Sequence, residues 1–228
     1  MIKIVLTPEW FLGKDVLIDF FSFFVLLAFF ILCLKSYKIN KKNGFKYLGW
    51  GFLIISAGQL AAILTKLVLY YDTVFTQQIG QMIITQHIVN SVDIFYYTGF
   101  FFNKFLTLLG LFIIYKIPEK EKRPIDFIIA AYFIILSALV GSDIYYIYHL
   151  SVVLFLVLII GNYYSVWKAN KNQNTRMLVI SFTILAAGHF LFLMSKIGIL
   201  FVLGNIIELA SYIILLYLMI RILRSGKN

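Results

Sequence analysis

The sequence predicts an all-α integral membrane protein with seven transmembrane helices, and three observations lead to this prediction. Hydrophobic residues make up 62% of the 228 residues and charged residues only 13%, whereas soluble domains are closer to half apolar and a quarter charged. Long apolar runs with few charges recur from one end of the chain to the other, as in proteins that span a bilayer. The third observation is an internal duplication.

The duplication relates the stretch 38–66 to the stretch 168–196 without a gap. Matched polar and glycine positions are informative here, because chance identities in such a chain are mostly apolar. The matched pairs include Lys38 with Lys168, Asn40 with Asn170, Lys41 with Lys171, Gly58 with Gly188 and Lys66 with Lys196. We therefore expect one repeat over about 15–116, a linker helix over about 124–141 and a second repeat over about 143–224. Helices 1–3 are then duplicated as helices 5–7.

Each predicted helix is an apolar run of roughly 17 to 25 residues, the length that crosses the hydrocarbon core. The runs are 15–34, 47–70, 91–115, 125–141, 144–164, 177–195 and 199–220. The apolar pattern of helix 3 extends upstream, so the connection 72–90 is expected to be either an amphipathic lid or an extension of that helix. Pro8, Pro118 and Pro124 all lie outside these runs, so no helix is expected to carry a proline kink.

The distribution of basic residues predicts the orientation, because cytoplasmic loops of membrane proteins are enriched in lysine and arginine. Fifteen basic residues follow helices 1, 3, 5 and 7, whereas the opposite side has only Lys3, Lys14, Lys66 and Lys196. The N-terminus is therefore expected outside and the C-terminus in the cytoplasm of a multi-pass cell-membrane protein. The net charge of +10 is explained by these loops, and no nucleic-acid partner is expected.

Three helices, a linker and three more helices in parallel resemble the plan shared by sugar and PQ-loop transporters, microbial opsins and, more loosely, seven-helix receptors. The resemblance is one of architecture, and no specific family is matched. PQ-loop proteins carry a Pro-Gln pair in helices 1 and 5, and no helix here contains proline. Opsins hold retinal on a lysine in helix 7, and the run 199–220 contains no lysine. Retinal is therefore argued against, and no cofactor is predicted.

Ionisable residues within the membrane are costly and mark candidate sites. Lys104 lies twelve residues before Lys116, and Glu208 lies thirteen before Arg221, so both are expected near the middle of the bilayer at equal depth. The sequence predicts a buried Lys104–Glu208 ion pair. This pair is expected to form the floor of a polar cavity that opens outward between the repeats. The predicted cavity residues are Lys104, Glu208, Asp93, Tyr97, His149, His189, Asn205, Gln59 and Tyr145.

A metal site is the weaker interpretation of the same residues. His149, His189, Asp93 and Glu208 are acceptable ligands for a divalent ion. However, the chain lacks a ligand spacing such as His-x-x-x-His on one helix, and Lys104 would repel a cation. The alternative is that each histidine makes an interhelical hydrogen bond.

Three functions are compatible with these features. The first is a transporter of a small solute or ion with its site between the repeats. The second is a stand-alone sensor that acts through a cytoplasmic partner, and the third is an intramembrane metal-dependent enzyme. An enzyme is the less favoured reading, because familiar catalytic motifs are absent and no catalytic residue is assigned. The expected partners are the lipid bilayer, a small polar ligand or ion, and a cytoplasmic protein or a second copy of the chain.

Overall fold

A computed structural model describes residues 11, 13–79, 82–118, 124–194 and 198–225, with side chains described outside 69–96, 124, 126, 142–143 and 225. This part of the chain forms seven α-helices. Their bounds are α1 Lys14–Asn40, α2 Asn43–Ile79, α3 Met82–Lys116, α4 Pro124–Asp143, α5 Tyr145–Asn170, α6 Gln173–Leu193 and α7 Gly198–Ser225. The all-α prediction with seven helices is confirmed.

Over the residues that the structure describes, six of the helices are long and apolar enough to cross a membrane. These are α1, α2, α3, α5, α6 and α7, and in each the most apolar window has only a third to a half of its residues buried in the protein. The remaining apolar side chains lie on the outside, where lipid rather than water must cover them. In α4, the apolar stretch of described residues, Phe127–Gly141, is shorter. The protein is therefore a polytopic membrane protein.

Several helices extend beyond the predicted apolar runs. The second helix was predicted to end at about residue 70, but α2 continues to Ile79, and α3 begins at Met82 rather than at residue 91. The connection 72–90 is therefore largely helical, as the extension alternative predicted. At the other end of the bundle, α1 and α5 continue to Asn40 and Asn170. The physical reason is that polar residues end an apolar run without ending a helix, since lysine and glutamine are good helix formers.

The helix ends at the basic side have matching geometry. Lys41 follows α1 with φ 54° and ψ 17°, and its N–H donates to the Tyr37 carbonyl at 2.8 Å. Lys171 follows α5 with φ 52° and ψ 22°, and its N–H donates to the Trp167 carbonyl at 2.7 Å. A left-handed residue of this kind satisfies a free carbonyl and stops the helix. In both places the next helix begins two residues later.

The helices pack in two groups, α1–α3 and α5–α7, with α4 at one side. α2 packs on α1 and α3, and α6 packs on α5 and α7. Two further contacts, α1 with α7 and α3 with α5, close the bundle, and α4 packs on α3 and α5. The core contains Phe52 and Phe182, whose rings stack with centroids 6.4 Å apart and planes 6° apart. Both are fully buried, so these side chains of α2 and α6 face each other in the core.

Glycines let α2 and α3 approach closely. A Cβ atom placed on Gly110 would lie 2.6 Å from the Gly51 carbonyl oxygen and 2.5 Å from the side chain of Ile55. Small residues at such crossings are the usual means of close helix packing in membranes. This tight contact fixes α3, and with it Lys104, relative to α2.

Candidate functional site

An ion-pair cluster joins α1 and α2 near the start of α1. The Lys66 ammonium lies 3.0 Å from Oδ2 of Asp15 and 2.5 Å from Oδ2 of Asp19. The two aspartates are one helical turn apart, so they share one face of α1. Their side chains are 0% and 13% exposed, and that of Lys66 is 16% exposed. A buried ammonium between two carboxylates is stable only because each charge has a partner.

Glu208 extends this cluster from α7. Its Oε1 accepts a hydrogen bond from the Tyr212 hydroxyl at 2.8 Å and one from Nε2 of Gln59 at 3.3 Å. The carboxylate also interacts electrostatically with Lys66 and with Asp19. We call Asp15, Asp19, Gln59, Lys66, Glu208 and Tyr212 the charged network. It contains three carboxyl groups and one ammonium, so acidic groups predominate.

The predicted Lys104–Glu208 ion pair is wrong. Nζ of Lys104 instead donates to the Gly141 carbonyl of α4 at 2.6 Å and lies 5.9 Å from the centroid of the Tyr148 ring. Glu208 is held by Gln59 and Tyr212. The physical reason is helix arrangement: α7 packs chiefly on α6 and α1, whereas α3 packs chiefly on α2, α4 and α5. Equal depth does not place two side chains on facing sides of a bundle.

The histidine pair, His149 of α5 and His189 of α6, forms a second polar centre. Their Nδ1 atoms are 3.0 Å apart, so the rings hydrogen bond directly across the helix interface. Both residues are buried, at 6% and 4% exposure. Tyr145, Tyr148 and Phe192 surround His149, with ring centroids 4.3, 4.8 and 4.9 Å from its own. The interhelical hydrogen bond expected for the histidines is present, made by the two to each other.

The remaining predicted residues have separate positions. Asn205 is buried and donates to the carbonyl of Phe201 in its own helix at 2.9 Å. Tyr97 is 36% exposed. Asp93 lies in α3, but its side chain is outside the described part of the chain. The structure therefore brings Gln59 together with Glu208, and Tyr145 together with His149, whereas Lys104 binds α4.

The ligand set of the metal interpretation is not gathered in the described part of the chain, where no three histidine, cysteine or acidic side chains lie close enough to hold an ion. A groove of about 410 Å³ lies between α3, α4 and α5, lined by residues such as Phe112, Tyr115, Phe133 and Phe155. This groove is apolar and differs in place and character from the polar cavity predicted between the repeats.

Sequence reasoning missed Asp15, Asp19 and Lys66 as site residues, because they lie near the predicted helix ends rather than at mid-helix. A signal was available in the spacing. Asp15 and Asp19 are the only acidic residues of α1 and are four apart, and Lys66 follows a run of α2 that has no other charge after Lys46. Opposite charges at one end of two consecutive antiparallel helices are suitably placed to pair.

Comparison with known proteins gives no match: no protein-family model, no curated protein and no solved structure is similar to this chain. Any function must therefore be argued from the geometry of the charged network and the histidine pair. Fold-level likeness would in any case be a weaker guide than the site itself.

Proposed function

We propose that this polytopic membrane protein transports a small solute or ion, which binds at the charged network between its two halves. The observation that carries the proposal is the hydrogen bond from Gln59 of the first half to Glu208 of the second half, inside an apolar bundle. Polar groups buried within a membrane are costly and are usually retained for a pathway or binding site. Transporters built from repeats bind substrate at the repeat interface.

The duplication supports this assignment, and we infer that α1–α3 and α5–α7 are parallel repeats. Lys41 and Lys171 occupy equivalent positions and share a left-handed conformation. The neighbour relations also match, since α1 with α2 corresponds to α5 with α6, and α1 with α7 corresponds to α5 with α3. Phe52 and Phe182 are equivalent and stack on each other, as residues beside a two-fold axis do.

The interface between the halves has two seams of different chemistry. One seam joins α1 and α2 to α7 and contains the charged network. The other joins α3 to α5 and contains Lys104 beside Tyr148 and His149. Asp19 and His149 are equivalent in the two repeats, so the duplication places an acidic group at the first seam and a histidine at the second. The acidic seam suits a cation or a solute with a cationic group.

We infer that the N-terminus is outside and that the protein resides in the cell membrane. Basic residues follow α1, α3, α5 and α7 at one end of the bundle, as expected for the cytoplasmic side. The native Cys33 is buried, so a single cysteine introduced at Lys38 is the first site that a membrane-impermeant thiol reagent would reach. Labelling in inverted vesicles but not in intact cells is expected. Labelling in intact cells would indicate the opposite orientation.

The transport proposal is tested with purified protein and a panel of inorganic cations, amines, amino acids and sugars. A ligand at about one hundred times its dissociation constant stabilises the folded state by roughly 2.7 kcal/mol, which a melting curve detects. We expect a stabilising ligand whose effect is lost in Glu208→Gln and kept in the surface variant Lys38→Met, and whose flux is measurable in proteoliposomes. Binding without flux would contradict transport and favour the sensor interpretation.

A further inference from the structure

We propose that the histidine pair is a proton relay, which takes up a proton at one ring and releases it from the other. This inference identifies the proton as the ion coupled to transport, and in that respect it rests on the proposed transport function. The pair lies on the α5–α6 side of the bundle and shares no residue with the charged network.

The two imidazole rings face each other through their Nδ1 atoms. The Nδ1 atoms are 3.0 Å apart, and the ring centroids are 5.3 Å apart, a difference of about one ring diameter. Each Nδ1 therefore points along the line that joins the two rings. A neutral imidazole has one N–H and one lone pair, so this contact holds one shared proton.

The same geometry argues for a proton rather than a metal between the rings. Two histidines that bind one ion direct their lone pairs at a common third point. Lone pairs that lie on a single line converge on such a point only if the rings separate or turn. An N–H donor and a facing nitrogen acceptor need no rearrangement, since linear geometry is the favourable one for a hydrogen bond.

The transfer balances without any other reactant. In the starting state His149 carries its proton on Nδ1 and His189 on Nε2. A proton that binds Nε2 of His149 makes an imidazolium, which passes its Nδ1 proton to Nδ1 of His189. His189 then loses its Nε2 proton, so one proton has entered and one has left. Both rings end in the opposite tautomer, and each must turn about its Cβ–Cγ bond and exchange its proton with solvent before the next proton passes in the same direction.

The surroundings confine the proton to this route. Phe192 of α6 packs on both rings, with centroids 4.9 and 5.7 Å away, and Tyr148 of α5 contacts both rings edge-on. Tyr145 covers His149. Lys104 of α3 interacts electrostatically with His149, and Glu208 of α7 with Tyr148.

The chain offers matched variants for a test. His189→Gln places in the second repeat the residue that the first repeat has at the equivalent position 59, so it keeps a polar side chain of similar size. His87→Gln is the control, because His87 is the third histidine of the chain and the substitution makes the same chemical change outside the histidine pair.

The experiment measures nitrogen NMR of the full-length protein, labelled in histidine, in lipid vesicles. We expect His149 and His189 to show signals averaged between the two tautomers. In His189→Gln we expect His149 to be fixed in one tautomer, and in His87→Gln we expect both to remain averaged. In vesicles with an internal pH-sensitive dye, potential-driven proton uptake should fall at least about tenfold in His189→Gln and stay unchanged in His87→Gln.

The proton relay requires both the averaged tautomers in the unmodified protein and the loss of proton uptake in His189→Gln. Fixed tautomers in the unmodified protein, or proton uptake that is the same in His189→Gln, would overturn it. Neither of these results would bear on solute binding and flux at the charged network, which the ligand panel tests separately. Conversely, a protein that binds no solute but shows averaged tautomers and histidine-dependent proton uptake would overturn the proposed solute transport and retain the relay.

Discussion

Replacement of Lys66 by methionine is the sharpest test of the charged network, because it removes one ammonium from two carboxylates. Asp15 and Asp19 lie 3.0 and 2.5 Å from Nζ of Lys66, and all three side chains are largely buried. Methionine keeps most of the side-chain volume, so loss of packing contributes little. Removing one partner of a buried ion pair costs about 3–5 kcal/mol, because the remaining charge is left without compensation.

The expected loss for Lys66→Met is therefore about 3 kcal/mol or more, which lowers the folding equilibrium constant at least about a hundredfold. The assay is reversible unfolding in mixed detergent micelles, followed by the circular dichroism of the helices. The same substitution is then made in a chain that already carries Asp15→Asn and Asp19→Asn. There we expect a cost below about 1 kcal/mol, because both carboxylates in contact with Lys66 are gone and Glu208 keeps its hydrogen bonds to Tyr212 and Gln59.

The matched control is Lys38→Met, at an exposed position of α1, for which a change within about 0.5 kcal/mol is expected. An equal cost of Lys66→Met in both backgrounds would refute the reasoning. It would mean that Lys66 stabilises the protein by packing rather than by its charge.

Three further predictions concern other contacts. Tyr212→Phe removes the 2.8 Å hydrogen bond to Glu208 and should cost about 1–3 kcal/mol in the same unfolding assay; a neutral result would show that this bond contributes nothing. Gly110→Ala should cost about 1–3 kcal/mol of unfolding free energy, because the added carbon overpacks against α2. The control Gly161→Ala should be neutral or slightly stabilising, because nothing lies within 4 Å of the added carbon. Equal effects of the two substitutions would contradict the close approach of α2 and α3. Lys41→Gly should stabilise by up to about 1 kcal/mol, because φ is 54° there and glycine adopts this conformation at lower cost; a loss of stability would argue against that helix end.

The number and type of the helices could be predicted from the sequence, because the bilayer constrains the length and composition of each segment that crosses it. A run of about twenty apolar residues must form a helix, since no other local structure satisfies its backbone in lipid. The ends were less predictable. α2 continues to Ile79 and α5 to Asn170, because polar residues outside the lipid extend a helix as readily as they end it.

The candidate site was predicted in composition but not in pairing. Glu208, Gln59, His149 and His189 were recognised from their position in apolar helices, and each has a polar partner inside the bundle. The expected partner of Glu208, Lys104, binds the Gly141 carbonyl instead. Depth follows from counting residues along a helix, whereas pairing depends on how each helix is rotated and on which helices are its neighbours.

The sequence by itself determined an α-helical membrane protein and the positions of its ionisable residues along each helix, since these depend on periodicity and length along one chain. Only the tertiary structure decided that Lys66 joins Asp15 and Asp19, that Gln59 reaches Glu208, and that His149 faces His189. These contacts depend on close packing between helices that are distant in sequence. Steric fit, at glycines such as Gly110 and at the Phe52–Phe182 stack, selects one arrangement from many with equal apolar burial.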